Sequence, residues 1–169
     1  MKVVIQLIRG KVRKSIANKI SVSVQRWDIE NISDWCPLVF DILIDSKTPA
    51  RVRLVEINYE ILLNDVPNQF GYWKSGMKYE TGGLTVCSTA ILINGNSKEH
   101  FKVSFNPVKQ GLFPSDHDKL GMKGVVYIET AYGLVNRPFE NMEIFGDKER
   151  LKSARNEFNN RYPSFGSNQ

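Results

Sequence analysis

From Ile20 onward the apolar residues recur mostly at every second position, and this period is what most constrains the fold. Ile20, Val22 and Val24 alternate with Ser21, Ser23 and Gln25, and Val52, Leu54, Ile57, Tyr59 and Ile61 are interleaved with Arg51, Arg53, Asn58 and Glu60. Successive side chains of an extended chain point to opposite faces, so such a segment buries one face and wets the other. Further runs lie at Val39 with Ile42 to Ile44, at Leu84 and Val86, at Ile91 to Ile93, at Phe101, Val103 and Phe105, at Val125, Tyr127 and Ile128, and from Phe139 through Met142, Ile144 and Phe145. Turn formers separate them. In Asn64-Asp65-Val66-Pro67-Asn68, Pro67 is expected to stop the ladder because it has no N–H, and Asn94-Gly95-Asn96 is expected to fold its flanking runs into a hairpin. No helical pattern of about 10 to 15 residues divides the runs, which suits a sandwich better than βαβ units. The expected fold class is all-β, a two-sheet immunoglobulin/fibronectin-type sandwich over residues 19–146 with Ile20, Val22, Val24, Leu54, Ile57, Tyr59, Val86, Ile91, Phe101 and Val103 in its core.

The chain changes character after the last strand. Asp147 is placed to cap a short C-terminal helix over 147–162, with Leu151, Ala154 and Phe158 as its apolar stripe, forming a lid on one edge. The tail 163–169 is expected to be flexible.

Charge is unevenly distributed. Lys2, Arg9, Lys11, Arg13, Lys14 and Lys19 occupy the first 19 residues with no acidic side chain, whereas the rest holds 17 basic and 18 acidic residues. The body is therefore neutral and has no excess from which to build a phosphate-binding stripe. Residues 1–18 form a basic arm with two readings. As a strand, Val3, Val4 and Ile5 join the sheet edge and Gly10 ends the run; as a helix, Ile5, Ile8, Val12 and Ile16 share one face. Lys2, Arg9, Lys11, Arg13 and Lys14 are the candidate contacts to a partner protein, an anionic membrane or, weakly, a nucleic acid.

Cys36 and Cys87 fit no zinc or redox spacing, and their apolar neighbours favour two buried thiols and reducing, cytoplasmic surroundings, with one inter-strand disulfide as the other reading. No stretch reads as a signal peptide or a bilayer span. The composition suits a free-standing chain or a segment of a longer polypeptide equally well.

Chemistry leaves few traces. His100 sits beside Glu99, and His117 lies between Asp116 and Asp118, the nearest approach to a metal or acid-base cluster. There is no GxSxG elbow, phosphate loop or dinucleotide fingerprint. No catalytic residue, metal ligand or cofactor is assigned, and hydrolysis by an unrecognised carboxylate pair is the remaining enzymatic alternative. Phe70, Tyr72, Trp73 and Tyr79 are the candidate ligand surface, for a glycan or nucleic-acid base stacked on their rings, with packing over one end of the core as the other reading.

The stretch FDILIDSKTPARVRLVEINYEILLND, the WKSG from Trp73 to Gly76, LTVCSTAILI and GMKGVVYIETAYGLVNRPFE together resemble the β-sandwich late-embryogenesis-abundant family, the water-stress and hypersensitive-response domain. The resemblance spans roughly residues 19 to 145. That family's Asn-Pro step appears here only as Ser46-Lys47-Thr48-Pro49, and the basic lead and terminal helix lie outside its pattern. The resemblance implies a fibronectin-type sandwich without cofactor or catalytic residues, in stress protection or as an accessory to a membrane or a larger assembly. The functional expectation is a non-catalytic binding or structural module.

Overall fold

The computed structural model describes residues 2–29, 38–81, 84–105 and 117–161. Its elements run α1 (Lys2–Asn18), β1 (Ile20–Ile29), β2 (Leu38–Ser46), β3 (Val52–Leu63), β4 (Val66–Lys74), β5 (Lys78–Thr81), β6 (Leu84–Cys87), β7 (Ile91–Ile93), β8 (Lys98–Phe105), β9 (Leu120–Thr130), β10 (Gly133–Asn141) and α2 (Lys148–Arg161). Two antiparallel sheets carry the fold. The smaller has the order β1-β2-β8, and the larger the order β10-β9-β3-β4 with β7 also beside β3.

Both sheets turn their apolar positions onto one core. Ile20, Phe40, Ile42 and Ile44 from the small sheet and Leu54, Ile57, Ile61, Met122, Val126 and Ile128 from the large one are essentially inaccessible to water. Each such side chain stabilises the fold by about 1.5–3 kcal/mol relative to exposure. Of the expected core residues, Ile20, Val24, Leu54, Ile57 and Val103 are buried, and Val22, Tyr59, Ile91 and Phe101 are half-buried against that core. Val86 has its side chain outside the described set.

The two sheets are stitched along the β1/β10 edge. An irregularity between Val24 and Arg26 interrupts the β1 ladder, and the Val24 amide donates to Asn141 Oδ1 at 3.1 Å. On the opposite edge, β4 and β7 share one side of β3, and between them the chain leaves the sheet as the β5–β6 hairpin. Ser88 fixes the base of that excursion: its hydroxyl donates to the Lys74 carbonyl at 2.5 Å and accepts from the Met77 amide at 3.1 Å.

Of the two readings of the N-terminal segment, the helix holds over residues 2–18; Ile16 is buried and Val12 and Ala17 pack against the core, which outweighs the roughly 1 kcal/mol that Gly10 costs a helix. Three expectations are corrected. Asn94-Gly95-Asn96 makes no hairpin, because β7 belongs to the large sheet and β8 to the small one. The turn docks instead on the β2–β3 connection, where the Asn96 amide donates to the Thr48 carbonyl at 2.9 Å and a side chain at Gly95 would strike Pro49. Pro67 lies inside β4, tolerated on an edge strand, and the turn before it is closed by Asn64 and Asp65 at φ 52° and 66°. Cys87 is exposed, not buried; Cys36 lies outside the described residues.

The C-terminal helix forms as expected. Asp147 Oδ1 accepts from the Arg150 amide at 3.0 Å, capping α2, and Leu151 and Ala154 are buried beneath it. Arg150 reaches Asp28 of β1 at 2.9 Å.

Candidate functional site

The outer face of the large sheet holds a groove. Strand register aligns Phe70, Glu60, Lys123 and Glu140 in one row across β4, β3, β9 and β10, and Tyr72, Asn58, Val125 and Pro138 in the next. All of these except Tyr72 line a depression of about 600 Å³. Phe70 stands at its edge 71% exposed, with Tyr72 also exposed beside it. Lys123 is paired with Glu60 at 2.9 Å, and Lys74 with Glu56 at 3.3 Å. The hydrogen bond to Glu56, helped by Tyr72, pushes the Lys74 ammonium upward in pKa.

Alternation along β4 divides the four candidate aromatics. Phe70 and Tyr72 face outward, whereas Trp73 turns inward, half-buried against the core, with its ring 5.3 Å from that of Phe101 across the sandwich and tilted by 60°. Tyr79 belongs to β5, and its side chain is outside the described set. In the row between those two, Tyr59 lies over Gly71 and Phe139 over Gly124; glycine leaves the space each ring occupies. Burial pushes the Tyr59 phenol above its ordinary pKa of 10.0.

A second surface surrounds α1. The stripe Ile5, Ile8, Val12 and Ile16 starts exposed and ends buried: Ile8 is 56% and Ile5 44% exposed, while Ile16 is covered. Leu7, on another side of the helix, is 62% exposed. Where the second half of α1 approaches β9 and β10, a groove of about 460 Å³ is lined by Gly10, Arg13, Lys14 and Ala17 from the helix and Tyr127, Leu134, Val135 and Asn136 from the strands. The sequence reading named Arg13 and Lys14 but missed Tyr127 and Asn136. Their only sequence signal was an outward position in an alternating strand.

The histidines are placed apart. His100 Nδ1 meets Asp41 at 2.9 Å on the exposed side of the small sheet, and His117 is exposed. Asp118 accepts from Asn64 at 2.7 Å, and Asp116 lies outside the described residues. Among the described residues no three His, Cys, Asp or Glu side chains are grouped to hold a metal ion.

The architecture defines a β-sandwich module with two grooved surfaces. Among solved structures, the chain is similar to the solution structure of a protein provisionally assigned to the late embryogenesis abundant (LEA) group, at 9% identity and a TM-score of 0.51 over 81% of this chain and 84% of that one. A crystal structure provisionally assigned as the ApaA protein of Bordetella pertussis matches at 11% identity and a TM-score of 0.48, covering 75% of this chain and 93% of that one. A structural-genomics target, SoR45, matches at 14% identity and 0.45, covering 74% and 87%. No family model matches the chain, and no curated protein matches it. At such identities the likeness concerns the fold alone.

Proposed function

We propose that this chain is a non-catalytic β-sandwich module of fibronectin type, related to the late-embryogenesis-abundant sandwiches, that α1 holds against an anionic membrane surface. The three-stranded order β1-β2-β8 facing the order β10-β9-β3-β4, with the short β7 added beside β3, supports the fibronectin reading, since that architecture sets three strands against four. The observation that carries the membrane reading is the half of α1 bearing Ile5, Leu7 and Ile8, exposed on a helix whose charged residues are all basic.

Such a helix lies in the interface: its apolar residues enter the acyl boundary and its cations meet lipid phosphates. Among the described residues no helix is long and apolar enough to cross a membrane. Each Lys or Arg near an anionic surface contributes about 1 kcal/mol, so Lys2, Arg9, Lys11, Arg13 and Lys14 supply at most about 5 kcal/mol between them, equivalent to weak, reversible recruitment. Co-sedimentation with phosphatidylcholine vesicles, with and without phosphatidylserine, tests this. Binding is expected only with the anionic lipid and should decline as salt shortens the screening length from about 8 Å toward 3 Å. Equal binding to both vesicles, or to neither, refutes it.

A second reading rests on Phe70 and Tyr72, which stand exposed together beside the larger groove. Aromatic rings next to Asn58, Glu60 and Glu140 suit a glycan, whose apolar face stacks while its hydroxyls are bonded. In a glycan and oligonucleotide screen, a hit lost in both Phe70→Ala and Tyr72→Ala supports it; a hit unaffected by either counts against it.

A further inference from the structure

Of the two grooves, the larger has its cation neutralised by Glu60. The groove between α1 and the sheet differs. It is lined by Arg13, Lys14, Tyr127 and Asn136, with no carboxylate among its lining residues. Among the described residues none of these four side chains has an ion-pair or hydrogen-bond partner. The acidic residues nearest in register are committed elsewhere: Glu56, opposite Tyr127, pairs with Lys74, and Glu129, opposite Leu134, pairs with Arg53.

Four side chains with uncommitted donors on the lining of one concave site, two of them cationic, favour an oxyanion with several acceptor oxygens. A guanidinium and an ammonium from residues that both line the groove can each take a phosphate oxygen, and the neutral donors can take the remainder. The rim favours a lipid as the source. Leu134, itself 51% exposed, lines the groove, and exposed Leu7 adjoins it along a strip shared with Gly10, Lys11 and Lys14. Beside Arg13, the β9–β10 turn at Gly133 presents exposed Tyr132. A free phosphate would gain nothing from these apolar neighbours, whereas a headgroup brings acyl chains to them.

We infer that this groove seats the phosphate of an anionic lipid headgroup, with Arg13 and Lys14 supplying charge and Tyr127 and Asn136 supplying directed hydrogen bonds. This rests on the membrane reading and deepens it: part of the recruitment is by a shaped site and not only by diffuse charge. Gly10 forms one wall, and nothing lies within 4 Å of where its side chain would begin, so the groove is open there.

The test uses the full chain and variants that leave net charge unchanged. Tyr127→Phe combined with Asn136→Ala is expected to weaken binding to phosphatidylcholine vesicles containing phosphatidic acid by at least about tenfold, the effect of losing even one of the two hydrogen bonds to a charged group. Gly10→Leu, which favours the helix while filling the groove, should do the same with no loss of melting temperature. Unchanged vesicle affinity in both variants overturns the headgroup site while leaving diffuse membrane recruitment standing. Absence of vesicle binding by the unsubstituted chain overturns the membrane reading itself. Titration with glycerol 3-phosphate, followed through the amides of Gly10, Arg13 and Asn136, separates the sources: shifts in the unsubstituted chain without vesicle binding overturn the lipid in favour of a soluble phosphate.

Discussion

The indole Nε1–H of Trp27 donates to the carbonyl of Ile144 at 2.9 Å, a buried bond between residues 117 positions apart. Around it, the Trp27 amide donates to the Phe145 carbonyl at 3.0 Å, and Gly146 leaves room for the indole face. One side chain thereby fastens the segment after β10 to β1 and positions Asp147 to start α2. Trp27→Phe keeps an aromatic ring but leaves the Ile144 carbonyl without its donor, at a cost of about 1–3 kcal/mol before any packing loss. Urea unfolding is expected to show a lower midpoint at an unchanged slope. An unaltered midpoint would mean the bond contributes nothing.

The pairing of Tyr59 with Gly71 makes a second prediction. A methyl group at position 71 would overlap the Tyr59 ring, so Gly71→Ala should destabilise by about 1–3 kcal/mol through overpacking. The same substitution in a Tyr59→Ala background should cost much less, because the colliding ring is gone. A double-mutant cycle on thermal or urea stability measures this coupling, and additive losses would contradict the contact.

Strand periodicity made the sandwich legible, and two local signals were legible in part or whole: the turn formers from Asn64 onward, of which Asn64 and Asp65 make the turn, and Asp147 as a helix cap. What could not be read was decided by distant contacts. Asn94-Gly95-Asn96 has ideal hairpin chemistry, but its docking on Thr48 and Pro49 sends the two runs to different sheets. The β-branched start of the chain favours a strand locally, yet the burial of Ile16 and the packing of Val12 on a shared helical face decide for α1. Tyr127 and Asn136 meet Arg13 and Lys14 only because α1 folds back on β9 and β10, a relation that no local pattern encodes.

Tyr59 also predicts alkaline behaviour. Its folded-state pKa is raised by burial, so the folded chain holds the phenolic proton at a pH where the unfolded chain releases it. The resulting contribution is fully present below the ordinary value of 10.0 and is lost as pH rises through the folded-state pKa. Melting temperature should therefore fall above about pH 10, and Tyr59→Phe, which cannot ionise, should flatten that decline. Parallel declines in both proteins would assign the alkaline loss to other groups.

Trp73 and Phe70 lie three residues apart on β4, on opposite faces, and should respond oppositely to truncation. Trp73 packs inward against Phe101 at 5.3 Å, so Trp73→Ala removes part of the core and should cost about 2–4 kcal/mol, lowering the melting temperature strongly. Phe70 is 71% exposed, and Phe70→Ala should change stability by less than about 0.5 kcal/mol. Any ligand held on the outer face should follow the reverse order, with affinity lost in Phe70→Ala and kept in a Trp73→Phe variant that preserves the packing. Calorimetric melting of the two alanine variants decides the first half. If Trp73→Ala melts like the parent chain, the indole is not part of the core, and the four-aromatic ligand surface regains the residue that the fold has taken from it.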